Sequence, residues 1–170
     1  IGLISEDSLE NTLMYDLSPL DNLCIPLFEK LKTLIYKKGI RKSVRMEYAD
    51  KLGEDIHQKD LYHVQHQTLQ KLVYYRWLLY SPKVLVCVKP LSGLDISGRK
   101  LTLDLIGQLS AKGIAILILT SNFSEAYYLS DRVILIDGAI KQGEYLRDDP
   151  LLKQKMGYLY PDMQSPTNPI

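Results

Sequence analysis

The chain has 170 residues, 46% of them hydrophobic and 24% charged, with 21 lysines and arginines against 20 acids and a formal net charge of +1. That length can bury a sizeable core, and near-neutrality excludes a global pull toward nucleic acid or an anionic membrane. No apolar run is long enough to span a bilayer and no signal-peptide pattern follows Ile1, so a cytoplasmic globular domain without membrane insertion is expected. In chain order, Leu20 to Asp60 is the least patterned stretch. Its basic run, Lys37-Lys38-Gly39-Ile40-Arg41-Lys42-Ser43-Val44-Arg45, is followed by Glu47, Asp50, Glu54, Asp55 and Asp60, so it is read as a solvated helix surface without direct nucleic-acid contact. His57, His63 and His66 lie close together but without a cysteine or a regular i, i+4 spacing, so no metal site is expected. Leu69, Leu72, Val73, Trp77 and Tyr80 fall on one side of an amphipathic helix.

Val84 to Val88 and Ile114 to Leu119 are continuous apolar runs, as parallel strands covered on both faces would be. Between them Ser97 to Lys112 carries Leu101, Leu105 and Leu109 at helical spacing and stops at Gly113, giving a strand-helix-strand crossover. Residues 132 to 146 read as two strands around Asp137-Gly138, an antiparallel hairpin. Cys24 and Cys87 are taken as small core residues rather than a disulfide. Tyr74, Tyr75, Tyr80, Tyr127 and Tyr128 suit either the core or a surface that meets a partner. Tyr160 to Ile170 has three prolines and no periodicity, so residues 159–170 are expected to form a linker or tail to a further domain, behind a domain spanning 1–158.

One stretch speaks to chemistry. Val84 to Val88 leads through Lys89 and Pro90 to Leu91-Ser92-Gly93-Leu94-Asp95, and this resembles the acidic strand of the ATP-binding cassette (ABC) ATPases of sugar importers, where the strand ends in Asp-Glu-Pro. The resemblance extends along the chain in the family's order. Ile4-Ser5-Glu6-Asp7, Leu17-Ser18 and Asn22-Leu23 resemble the segment after the Q-loop of the second cassette in ribose- or galactoside-type importers. Gln70-Lys71, Trp77 and Ser81-Pro82-Lys83 resemble the helix after the signature. Ile116 to Ser121 and Leu129 to Ile136 resemble the switch strand and the final strand. It implies an α/β fold, a truncated P-loop NTPase (ABC ATPase-like) core with a parallel sheet, a C-terminal antiparallel hairpin and a helical subdomain across 20–65.

Each functional station departs from the working pattern. The aspartate that orients Mg²⁺ is Val88, and the glutamate that polarises the attacking water is Lys89, although phosphoryl transfer needs negative oxygens there. The signature Leu-Ser-Gly-Gly aligns with Val64-Gln65-His66-Gln67, which puts side chains where glycine N–H groups should approach phosphate. Ser121 stands at the switch histidine and Glu6 at the Q-loop glutamine. A phosphate-binding loop is missing; Gly93 to Lys100 has suitable glycine spacing but offers Arg99 and Lys100 where lysine and a hydroxyl are required. No catalytic residue, cofactor or metal is therefore expected. The leading expectation is a non-catalytic regulatory or interaction domain of a larger protein, such as a bacterial transcription regulator with a LytTR-type DNA-binding domain, acting through a protein partner or self-association. The alternative is a degenerate ATP-binding subunit of a sugar ABC transporter, in which Asp95 of the D-loop could still serve a partner's nucleotide.

Overall fold

The computed structural model describes residues 1–31 and 37–159; of the linker expected at 159–170, all but Leu159 lies outside them. The described residues form two compact units, a first from Ile1 to Leu117 and a second that begins at Ile118.

In the first unit, β1 (Gly2–Ile4) pairs in parallel with β2 (Val84–Val88), with Gly2 opposite Leu85 and Ile4 opposite Cys87. The sheet order is β1-β2-β3, where β3 is Ala115–Leu119. The crossover from β2 to β3 runs through α5 (Ile96–Ala111), one residue ahead of the expected helix, and Gly113 ends the connection with a φ of 82° that only glycine adopts freely. After β1 come α1 (Ser8–Thr12), α2 (Pro19–Leu31) and α3 (Lys37–Leu52), followed by a 3₁₀ turn at Gly53–His57 and a fourth helix that leads into β2. Val44, Tyr48 and Leu52, at i, i+4 and i+8, form the buried stripe of α3, and Tyr48 meets Tyr75 edge-on at 5.0 Å between ring centroids. Helices α2 and α3 and the 3₁₀ turn fall almost wholly within residues 20–65.

The next helix, α4 (His66–Tyr80), corrects an expectation. Rather than one apolar side, it buries Thr68, Leu69, Gln70, Leu72, Val73, Tyr74, Tyr75, Arg76 and Leu78. Packing by α1, α2 and α5 explains this, since a helix with neighbours all round has no free face. Arg76 belongs to this interior, its guanidinium hydrogen-bonded to the carbonyl of Thr12 at the last residue of α1, where a cation offsets unpaired helix carbonyls. Cys24 and Cys87 are buried and free, and burial pushes their thiols up to about 11 and about 12.

The sheet departs from expectation as well. Ile4, Leu85 and Cys87 are fully buried, but Leu3 is 54% exposed and Leu117 and Leu119 are each 47% exposed. Continuous apolar runs had implied cover on both faces; among the described residues one row of β1 and of β3 stays in solvent, and the matching row of β2 is half-buried.

In the second unit, α6 (Phe123–Leu129), β4 (Arg132–Asp137), β5 (Ile140–Leu146) and α7 (Pro150–Leu159) surround Val133 and Leu152, with Phe123, Tyr127, Leu135 and Tyr145 packed against them. The expected hairpin is present, with a shifted turn. Asp137 pairs with Ile140, so the two loop residues are Gly138 and Ala139, at φ 53° and 64°. Two positive φ values are what a type I′ turn requires.

Candidate functional site

Parallel pairing of β1 with β2 lets both strands run out at the same end of the sheet, which is why Glu6 and Lys89 meet although 83 positions separate them. Lys89 leaves the strand with a φ of 44°, and the following turn closes with Ser92 N–H donating to the Lys89 carbonyl at 3.0 Å. Its Nζ donates to Glu6 Oε2 at 2.9 Å, and Ser92 Oγ donates to Glu6 Oε1 at 2.9 Å. Both carboxylate oxygens of Glu6 are thereby engaged. Hydrogen bonds from Lys89 and then Ser92 hold the Glu6 carboxyl below its usual range, and Glu6 raises Lys89 in return.

The sign of each shift sets the pH window. A depressed Glu6 makes the pair's contribution complete above the ordinary carboxylate value of 4.5, with loss as pH falls through the lower folded value; a raised Lys89 keeps it complete below 10.5, with loss as pH rises further. The contribution is thus constant across neutral pH. A Lys89→Met variant should return the Glu6 carboxyl toward its ordinary value, read by side-chain NMR titration. An unmoved Glu6 would mean that the pair does not persist in solution.

Val88, expected at a buried strand end, is half-buried, because alternate β2 positions face the uncovered row. It offers no oxygen. Mg²⁺ takes near-octahedral oxygen coordination, whereas at this strand end the Glu6 carboxylate is already shared between a lysine and a serine and the Lys89 ammonium repels a cation, so the donor set does not fit the ion.

The glycine-spaced loop 93–100 is a capped helix start. Asp95 is the N-cap of α5 and accepts from Gly98 N–H at 2.7 Å and from Ser97 Oγ at 3.0 Å. These bonds, the one from Gly98 first, lower the Asp95 carboxyl. The N–H that would cradle phosphate is taken by a carboxylate, which also repels an anion. Gly98 is tight for the same reason, since a Cβ would stand 2.9 Å from Asp95 Oδ1.

At the signature position α4 begins at His66, and Gln65 makes no side-chain cap. Gln65, His66 and Gln67 are exposed, whereas Val64 is buried. Three residues beyond Gln67, Gln70 is buried and donates to the Gly98 carbonyl at 2.9 Å and to Thr102 Oγ1 at 2.5 Å, tying α4 to α5 beneath the loop. His57 and His63 are exposed too, and His63 stands 3.8 Å from Asp60. Among the described residues no group of three or more metal-ligating side chains converges. Ser121 lies exposed in the second unit, between β3 and α6. Of the tyrosines, Tyr74 and Tyr75 are core residues, and Tyr128 is 39% exposed.

The Glu6–Lys89–Ser92 cluster was not foreseen. Its signal was available, since Glu6 and Lys89 occupy two stations where the family carries amide and acid, so the pair departs in complementary senses.

The architecture has close counterparts among solved structures. CbiO1 from Clostridium perfringens, part of the ABC transporter complex cbiONQ, superposes with a TM-score of 0.67 at 17% identity, over 95% of this chain and 64% of that one. The bacterial ABC transporter cassette MJ0796, in its dimeric structure, gives 0.66 at 18% identity over 88% and 63%. The fold is that of an ABC ATPase cassette. No family model matches the chain. In sequence it is similar to the ribose import ATP-binding protein RbsA of Geobacillus kaustophilus, 27% identical over 164 residues, or 92% of this chain and 33% of the relative. RbsA of Bacillus licheniformis is 29% identical over 158 residues, 88% and 31%. The chain spans about a third of the length of these relatives. Both are import proteins, which backs the transporter alternative over the expected transcription regulator, a reading with no support among them. No helix among the described residues is long and apolar enough to cross a membrane.

Proposed function

We propose that the chain is a degenerate ATP-binding cassette of a sugar ABC transporter, one that contributes structure to its assembly and does not itself drive hydrolysis. The observation that carries this reading is the Glu6–Lys89 ion pair at the end of β2. Phosphoryl transfer calls for a metal-orienting oxygen and a base or water-positioning oxygen at that place. Here one position is valine, the other is a cation, and the neighbouring carboxylate is spent on that cation and on Ser92. The likeness to ribose import proteins supports the transporter context, and the dimeric form of MJ0796 supports association with a second cassette as the kind of partnership such a fold makes. Asp95 is engaged within its own turn, so what remains for a partner is shape and surface.

Calorimetry with Mg-ATP tests the proposal. Titration of the purified chain to millimolar nucleotide should give no saturable heat, and Val88→Asp with Lys89→Glu should show no Mg²⁺-dependent ATP hydrolysis. Saturable binding in the micromolar range, or turnover by the double variant, would refute the non-hydrolysing role.

A further inference from the structure

The basic run that composition suggested was diluted by nearby acids is segregated on the folded surface. Lys38, Arg41, Lys42 and Arg45 occupy i, i+3, i+4 and i+7 of α3 and line one shallow depression, while Glu47 and Asp50 fall in the second half of the helix. Arg41 pairs with Asp21. Among the described residues, Lys38, Lys42 and Arg45 make no ion pair and are exposed. Lys38 stands in the first turn of α3, where a cation works against the helix dipole, and Arg41, Lys42 and Arg45 lie short of the last turn, where a cation would be favoured, so the dipole gives no reason to collect them there. Met46, one turn beyond Lys42, is 72% exposed at the end of the stripe.

We propose that this stripe is a docking surface for an acidic helical segment of a partner protein. Its cations span seven residues, about 10.5 Å along the axis, which matches carboxylates at the same i, i+3, i+4, i+7 spacing on a second helix. Arginine and methionine are enriched at protein interfaces, and Met46 supplies an apolar anchor where the charges stop. A nucleic acid fits less well. The stripe ends after two turns at Glu47 and Asp50, whereas backbone binding draws on many phosphate contacts, and no aromatic side chain stands within the stripe to stack a base. The surface is independent of the nucleotide chemistry at the end of β2.

A fluorescent 14-residue helical peptide with Glu at positions 3, 6, 7 and 10 and Leu at 11, titrated by anisotropy with the 170-residue chain, is the probe. Binding should weaken at least tenfold with Lys38→Glu, Lys42→Glu and Arg45→Glu combined, and equally when the peptide's glutamates become glutamines. Met46→Glu should weaken it several-fold, and Lys59→Glu with Lys100→Glu, away from the stripe, should leave it unchanged. The substituted positions are exposed, and far-UV circular dichroism checks that the triple variant stays folded. If it does not, Lys42→Glu and Arg45→Glu are read singly, each expected near threefold. Equal affinity for the glutamine peptide, or unaltered binding by the charge-reversed variants, overturns the proposal. So does tighter binding of duplex DNA or phosphatidylserine vesicles than of the peptide, which would assign the stripe to a phosphate-bearing partner.

Discussion

Replacing Asn22 by alanine should cost the chain about 2 kcal/mol of stability, because a fully buried amide gives up its hydrogen bonds to three backbone residues together. Asn22 has no solvent exposure. Its Oδ1 accepts from Met14 N–H at 2.9 Å, and its Nδ2 donates to the carbonyls of Met14 at 2.9 Å and of Leu17 and Ser18 at 3.2 Å. The side chain therefore ties the turn between α1 and α2 to the first residues of α2. Alanine leaves the Met14 N–H without its partner, while the carbonyls of Met14 and Ser18 keep their bonds from the backbone N–H groups of Leu17 and Asn22; one donor left unsatisfied costs about 1–3 kcal/mol. Asn22→Asp should do no better, since it keeps the acceptor, loses the donor and adds a buried charge. Urea denaturation is the measurement; a loss below about 1 kcal/mol would show that water replaces the side chain.

Leu72→Ala should be comparably severe, at about 3 kcal/mol, within the range for emptying a leucine site in a core. Leu72 has no exposed surface and lies on the helix enclosed by α1, α2 and α5, so the surroundings have little freedom to collapse into the void. Gln67→Ala, exposed near the start of the same helix, should change stability by less than about 0.5 kcal/mol. The contrast separates two parts of α4. Its interior is held by packing, whereas Gln65, His66 and Gln67, where signature glycines would stand, are exposed. A drop at Gln67 as large as that at Leu72 would mean that the first turn has acquired a structural role.

Much of this was legible from residue order. Val84–Val88 is the strand expected, and the helix from Ile96 to Ala111 lies one residue from the expected Ser97 start, because Asp95 is a strong cap and Gly113 a strong stop. The misses have physical causes. Leu69, Leu72 and Val73 suggested one buried side, yet how many neighbours surround a helix is a tertiary fact, and Gln70 and Arg76 are buried because they hydrogen-bond across elements. The hairpin turn slipped by one residue because Asp137-Gly138 and Gly138-Ala139 both contain the required glycine, and cross-strand pairing chose between them. The charge swap at Glu6 and Lys89 was visible as two separate departures; only parallel pairing of β1 with β2 makes them one.

The row of β3 that stays in solvent bears on how the chain behaves outside the cell. Among the described residues β3 ends the sheet, so its outer N–H and C=O groups form a template for another strand, and Leu117 and Leu119 make that template greasy. Concentrated samples should gel or form oligomers that bind hydrophobic dyes, and a single lysine at Leu117 should keep them clear, as a charge does on the rim of many natural sheets.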